Sequence, residues 1–105
     1  WMDVRDAVKA YWLLVTKCAP GEVYNIGGKE TMTLREMLDL LLSFSKHKGI
    51  KIKVDPARLR PSDVTLQIPD MTKFVQATGW QPRIPFKKTV EDTLHYWRAF
   101  YAKKT

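Results

Sequence analysis

Three short stretches of this chain read as strands, one apolar and two alternating apolar and polar residues, and helical sequence separates the first from the other two. EVYNI occupies 22–26, IKIKVD occupies 50–55, and residues 63–68 set Val64, Leu66 and Ile68 on one side. A strand satisfies its N–H and C=O groups only in a ladder. Three isolated strands must therefore meet in one small sheet or be completed by strands from elsewhere. That requirement limits the fold more than any feature of composition.

The helical pattern is stronger. Val4, Ala7, Val8, Tyr11, Trp12 and Val15 recur at helical spacing over 4–18, with Asp3 or Asp6 as cap and Pro20-Gly21 as stop. A second helix follows Thr33, where Thr33 and Glu36 match a capping box. Leu34, Met37, Leu38, Leu41 and Leu42 form its inner stripe, and Gly49 is its expected end. Asp70 opens a short helix that Gly79 closes, and Pro82 and Pro85 stiffen the connection to a last helix over about 87–102. In that last helix Val90, Leu94, Trp97 and Tyr101 face inward, and Tyr11, Trp12, Trp80 and Trp97 read as core aromatics. The order is α, β, α, β, β, α, α. The fold class is α/β, or α+β if the chain stands alone, with helices packed on short strands in one domain.

The usual catalytic signatures are absent. The sequence has no Gly-rich dinucleotide loop, no GxxxxGK[ST] phosphate loop and no GxSxG elbow. Every tyrosine lacks a lysine four residues later, and His47 and His95, both read as helical, have no ligand neighbours. No metal site is expected. Cys18, the single cysteine, cannot form an internal disulfide, which suits a reducing cytoplasm. No apolar run approaches the roughly 20 residues of a membrane-spanning helix.

The net charge is +7 and the sequence pI about 9.7, which favours anionic partners. A nucleic-acid-binding module would gather its cations on one helix face among exposed aromatics. Here they are spread over every element, so that reading is disfavoured. A small helical interaction module is the other alternative. The best candidate for chemistry is the stretch DPARLRPSDV. Arg58 and Arg60 offer planar donor forks suited to phosphate, Pro61 holds Arg60 extended, and Asp63 can accept from vicinal hydroxyls. Phosphate plus ribose describes a nucleotide.

Four pieces in order, DVRDAVKAYWLL, GEVYNIGG followed by TMTLREML, RLRPSDV, and DMTKFVQATGWQPRIPFKKTVEDTLHYW, resemble the C-terminal third of extended short-chain dehydrogenases/reductases acting on nucleotide sugars. The resemblance lies nearest the GDP-mannose 4,6-dehydratase and GDP-6-deoxy-mannose reductase branch of the epimerase/dehydratase family. It implies an N-terminal Rossmann domain that binds NAD or NADP and carries the catalytic Ser/Thr, Tyr and Lys, outside this chain. Residues 1–32 would adjoin that domain's sheet, and 33–105 would form the substrate part. The R-P-[ST]-[DE]-V motif falls on Arg60 to Val64. By this resemblance Arg60 contacts the diphosphate of GDP-mannose or GDP-4-keto-6-deoxymannose, Asp63 the ribose, and Arg58 is an auxiliary cation. Many relatives carry Glu where this chain has Asp63. Asp6 is expected as a helix cap, while Asn25, the Gly27-Gly28 turn, Asp70, Lys73, Gly79, Trp80 and Pro82 are expected as scaffold. The chain alone is expected to bind no cofactor and to be inactive. Because it opens on Trp1 and runs almost at once into a helix, it is also expected to be a piece of a longer protein. Apolar surface left open by the missing domain is expected to be available for self-association.

Overall fold

The computed structural model describes residues 1–104. Four α-helices follow one another: α1 (Val4–Lys17), α2 (Leu34–Ser43), α3 (Thr72–Thr78) and α4 (Phe86–Ala102), with a single 3-10 turn at Pro56–Arg58. α1 packs on α3, and α2 packs on α4. Among the described residues the buried apolar core is small: Ala10, Phe74, Trp80, Phe86 and Val90. Tyr24 meets Phe74 edge-on and Phe74 tilts against Trp80, with centroids 5.8 and 5.5 Å apart. The radius of gyration is 17.5 Å, against about 13 Å for a compact chain of 100 residues.

The expanded size has a specific source. No strand ladder forms among the described residues, so the sheet component of the expected α/β fold is corrected to extended, unpaired backbone. Ile50, Ile52, Val54, Val64, Leu66 and Ile68 are all exposed. These residues alternate with a period of two, but among the described residues no neighbouring strand offers a ladder to either stretch. The first stretch fares better, since Tyr24 and Ile26 pack against the core.

The helix ends follow local chemistry. Asp3 caps α1, its carboxylate accepting from the Arg5 N–H. The Thr33–Glu36 capping box forms in full. Gly79 closes α3 at φ 69°, a left-handed position that favours glycine. Asp70 acts from just outside α3, accepting from the Thr72 N–H at 2.9 Å. α2 stops at Ser43, six residues before Gly49. There Ser43 bonds back to the Leu40 carbonyl, and Ser45 exchanges bonds with the backbone of His47. Serine hydroxyls compete for backbone groups in this way and end helices early. His47 therefore lies in a bend, not in a helix.

The largest correction concerns α1. The expected inner stripe points outward: Val4, Val8, Tyr11, Trp12 and Val15 are exposed, while Asp6 and Ala10 are each only 1% exposed. Polar anchoring sets the rotation of the helix. One oxygen of Asp6, Oδ2, accepts the backbone N–H groups of Arg83 and Ile84 at 2.9 and 2.8 Å. Asp6 thus caps the proline-stiffened bridge before α4, not its own helix. Asp3 accepts from the Arg5 guanidinium and from the Thr89 hydroxyl, and Arg5 continues to Asp92 on α4. These bonds turn the Asp3/Asp6/Ala10 side inward. Trp97 and Tyr101 likewise lie on an exposed aromatic cluster, because α4 runs past the body that covers Phe86 and Val90. Of the four aromatics read as core, only Trp80 is buried.

Gly27 and Gly28 serve close approach more than a turn. A Cβ at Gly27 would collide with the Pro69 ring, and one at Gly28 with the Trp1 carbonyl. Trp1 itself stacks on Phe86 and donates its indole N–H to the Met32 carbonyl. Glu30 then accepts the Phe86 N–H and caps α4.

Two outcomes are expected in urea or acid titrations followed by circular dichroism. Asp6→Ala leaves two half-buried N–H groups unpaired and costs about 2 kcal/mol, whereas Asp6→Asn keeps an acceptor oxygen and costs about 1 kcal/mol. The hydrogen bond from Arg5, ahead of that from Thr89, holds the Asp3 carboxyl well below the usual carboxylate range. A depressed folded pKa contributes stability that is fully present above the unfolded value near pH 4 and is lost as pH falls through the folded one. Stability should therefore decline below about pH 4, and Asp3→Asn should flatten that decline while lowering stability at neutral pH.

Candidate functional site

The turn that carries the two arginines is built by its own acid. The Asp55 carboxylate accepts the Ala57 N–H at 3.1 Å, and Pro56 presets the first position of the 3-10 turn. The Arg58 and Leu59 N–H groups close the turn on the Asp55 and Pro56 carbonyls. Leu59 then returns to extended backbone, with φ −71° and ψ 131°. Arg60 leads into Pro61, and Asp63 accepts the Val64 N–H through Oδ1 at 2.9 Å.

Arg58, Arg60 and Asp63 thus stand on one exposed stretch of nine residues that starts at Asp55. Asp55 is the participant that the sequence reading left out. Its Oδ2 sits 3.4 Å from Arg58 Nε, and both side chains are largely exposed. An exposed pair of this kind is worth at most about 1 kcal/mol, so Arg58 is restrained and still available to an anion. The signal in the sequence was the Asp-Pro spacing, which marks a capped turn. Arg60 has no hydrogen bond or ion pair among the described residues. Just past Asp63, residues Val64 to Gln67 form one wall of a cleft of about 350 Å³. Trp1 and Glu30 to Met32 form the other wall.

The scaffold expectation for Lys73 is met by its contacts. Its ammonium binds Glu22 at 2.6 Å and the Val23 carbonyl at 3.0 Å, and lies over the Tyr24 ring. The same contact with Lys73 lowers the pKa of Glu22, and the Glu22 carboxylate raises that of Lys73. Burial, followed by the Cys18 thiol, pushes the Tyr24 hydroxyl up.

The Gly27-Gly28 backbone lies against Trp1 and the Pro69 ring and borders a cleft of about 510 Å³. The N-terminus of α2, an anion-seeking group, already holds the Glu36 carboxylate, whose pKa is lowered by the Thr33 N–H and hydroxyl. No cluster of three or more His, Cys, Asp or Glu residues among the described residues is placed to hold a metal ion. No helix among them is long and apolar enough to cross a membrane.

Comparison with known proteins gives a consistent answer. The chain is 28% identical over 99 residues to a GDP-6-deoxy-D-mannose reductase of Pseudomonas aeruginosa, covering 94% of this chain and 32% of that protein. It is 32% identical over 107 residues to a dTDP-glucose 4,6-dehydratase of Escherichia coli, covering 92% and 29%. It is 27% identical over 102 residues to the human dTDP-D-glucose 4,6-dehydratase, covering 93% and 29%. The chain thus spans about a third of the length of the curated relatives it matches. A model of the GDP-mannose 4,6 dehydratase family matches residues 1–93, and the chain belongs to that family.

Proposed function

We propose that this chain is the nucleotide-binding part of a nucleotide-sugar 4,6-dehydratase or 4-keto reductase. In this reading Arg60 grips the diphosphate, Asp63 accepts from the ribose hydroxyls, and Arg58 adds a second cation once phosphate displaces Asp55. The observation that carries the reading is an exposed Arg60 with no hydrogen bond or ion pair among the described residues, biased toward extended backbone by Pro61 on the family's R-P-[ST]-[DE]-V motif. A guanidinium of this kind has its donors free for phosphate oxygens. The preferred substrate is a GDP-sugar, GDP-mannose or GDP-4-keto-6-deoxymannose.

Chemistry at the sugar needs NAD or NADP, held by a Rossmann part that residues 1–32 adjoin. The outward face of α1, with Val4, Val8, Tyr11, Trp12 and Val15, is the surface suited to docking on it. The chain's own contribution is to fix the nucleotide so that the hexose reaches the nicotinamide, which positions the reacting centre by remote binding energy. The setting is cytoplasmic.

Amide NMR titrations test this. GDP should give saturable shifts over residues 58–64, with weaker shifts from UDP. Arg60→Ala should weaken GDP by about 10-fold or more, the loss of a charge-assisted hydrogen bond. 2′-Deoxy-GDP should bind more weakly than GDP, and Asp63→Asn should narrow that gap. Asp55→Asn keeps an acceptor for the turn and frees Arg58, so GDP should tighten about 2- to 4-fold. A well-dispersed spectrum with no response to GDP would reject the site. Equal responses to GDP, UDP and inorganic pyrophosphate would reduce it to a general anion corner.

A further inference from the structure

Cations occur on every element, but the net positive charge per residue is highest beside this corner. Between residues 46 and 63, six cations (Lys46, Lys48, Lys51, Lys53, Arg58 and Arg60) face two acids, Asp55 and Asp63, so this stretch holds +4 of the net +7. Residues 46–63 are exposed throughout. Elsewhere many cations are answered: Arg5 by Asp3 and Asp92, Arg35 by Asp39, Lys73 by Glu22 and Lys88 by Asp92. Lys46, Lys48, Lys51 and Lys53 make no hydrogen bond or ion pair among the described residues. Nor do they pack a core, because the alternation they belong to turns Ile50, Ile52 and Val54 to solvent as well. They contribute charge and little else to the fold.

Chain length bounds how far that charge can lie from the corner. An extended chain advances at most about 3.3–3.6 Å per residue. Lys53 therefore lies within roughly 18 Å of Arg58 and Lys51 within roughly 25 Å, while the bounds for Lys48 and Lys46 are roughly 36 and 43 Å, so Lys51 and Lys53 carry most of the effect. The Debye length is about 30 Å at 0.01 M salt and about 8 Å at physiological ionic strength. The lysines thus act on an approaching anion over long range at low salt, and only weakly at high salt. Charges that attract without touching the ligand speed its arrival and leave its departure nearly unchanged.

We propose that Lys46, Lys48, Lys51 and Lys53 form an electrostatic approach path that speeds capture of nucleoside diphosphates at the Arg58–Asp63 corner without contacting them. The inference rests on the nucleotide-binding reading above. It adds a kinetic role for residues outside the R-P-S-D-V motif, and it assigns the lysines to access, with Arg60 and Asp63 responsible for retention.

The test is stopped-flow binding of GDP carrying a fluorophore on its terminal phosphate, with the whole 105-residue chain, between 10 and 300 mM salt. The on-rate of the parent chain should fall about tenfold over that range, within the span known for steered association. The K46Q/K48Q/K51Q/K53Q variant, whose substitutions are all at exposed positions, should keep the parent circular dichroism spectrum. Its on-rate at 10 mM should be about 3- to 10-fold lower, its off-rate should stay within about twofold, and the two proteins should converge at 300 mM. An off-rate that rises while the on-rate holds would overturn the proposal in favour of direct contact. Saturable binding with a salt-independent on-rate would overturn it and leave the corner intact. A variant that loses affinity for a single-stranded oligonucleotide yet keeps the parent on-rate for GDP would reassign the lysines to a polyanion. Absence of any saturable binding by the parent chain would remove the corner and the approach path together.

Discussion

One carboxylate oxygen, Asp6 Oδ2, holds the backbone N–H groups of residues 77 and 78 positions further along the chain. The rest of the packing is arranged around that anchor. It fixes the rotation of α1, and with it the face that Ala10 presents to Phe74 and Trp80. It also fixes where the proline-stiffened bridge delivers α4. The Asp3–Arg5–Asp92–Lys88 chain of ion pairs then ties the first turn of α1 to the first half of α4. Hydrophobic burial alone would have chosen the other face of α1, where five large apolar residues lie in register. Burying the Asp3 and Asp6 carboxylates is tolerated only with these partners, and the bonds they make oppose that choice.

What was legible in the sequence follows the range of the interactions involved. The start of α2 was readable because a capping box is settled within four residues, and the end of α3 because Gly79 needs only its own φ. The axial extents of α1 and α4 were readable from periodicity. Their inward faces were not, because Thr89, which bonds Asp3, and Arg83 and Ile84, which bond Asp6, lie more than 75 residues away and nothing local marks them. The two later strand stretches failed for a related reason. Alternation at Ile50–Val54 and Val64–Ile68 specifies a period, while pairing depends on a second strand that the period does not supply.

The candidate site was legible at Arg58, Arg60 and Asp63 because the motif is local, and illegible at Asp55 because an Asp before Pro reads first as a turn former. Both roles come from the same carboxylate. Oδ1 holds the turn through the Ala57 N–H, while Oδ2 shares charge with Arg58. Such an arrangement leaves the guanidinium only weakly engaged, with both side chains largely exposed.

Exposure of the corner has its own consequence for affinity. Arg60, Asp63 and their neighbours meet solvent on every side, so a diphosphate there keeps much of its hydration and each charge–charge contact acts in a high-dielectric setting. In the proposed reading, three side chains on a bare turn orient a nucleotide without enclosing it. The Val64–Gln67 wall and the Trp1 and Glu30–Met32 wall across the cleft supply apolar surface near the corner. Retention at such a site depends on how much of the ligand those walls cover, whereas arrival depends on charge that reaches beyond them. The lysines upstream of Asp55 lie outside both walls, in a stretch where the fold asks nothing of them, and a requirement on the rate of arrival would explain why unpaired charge is kept there.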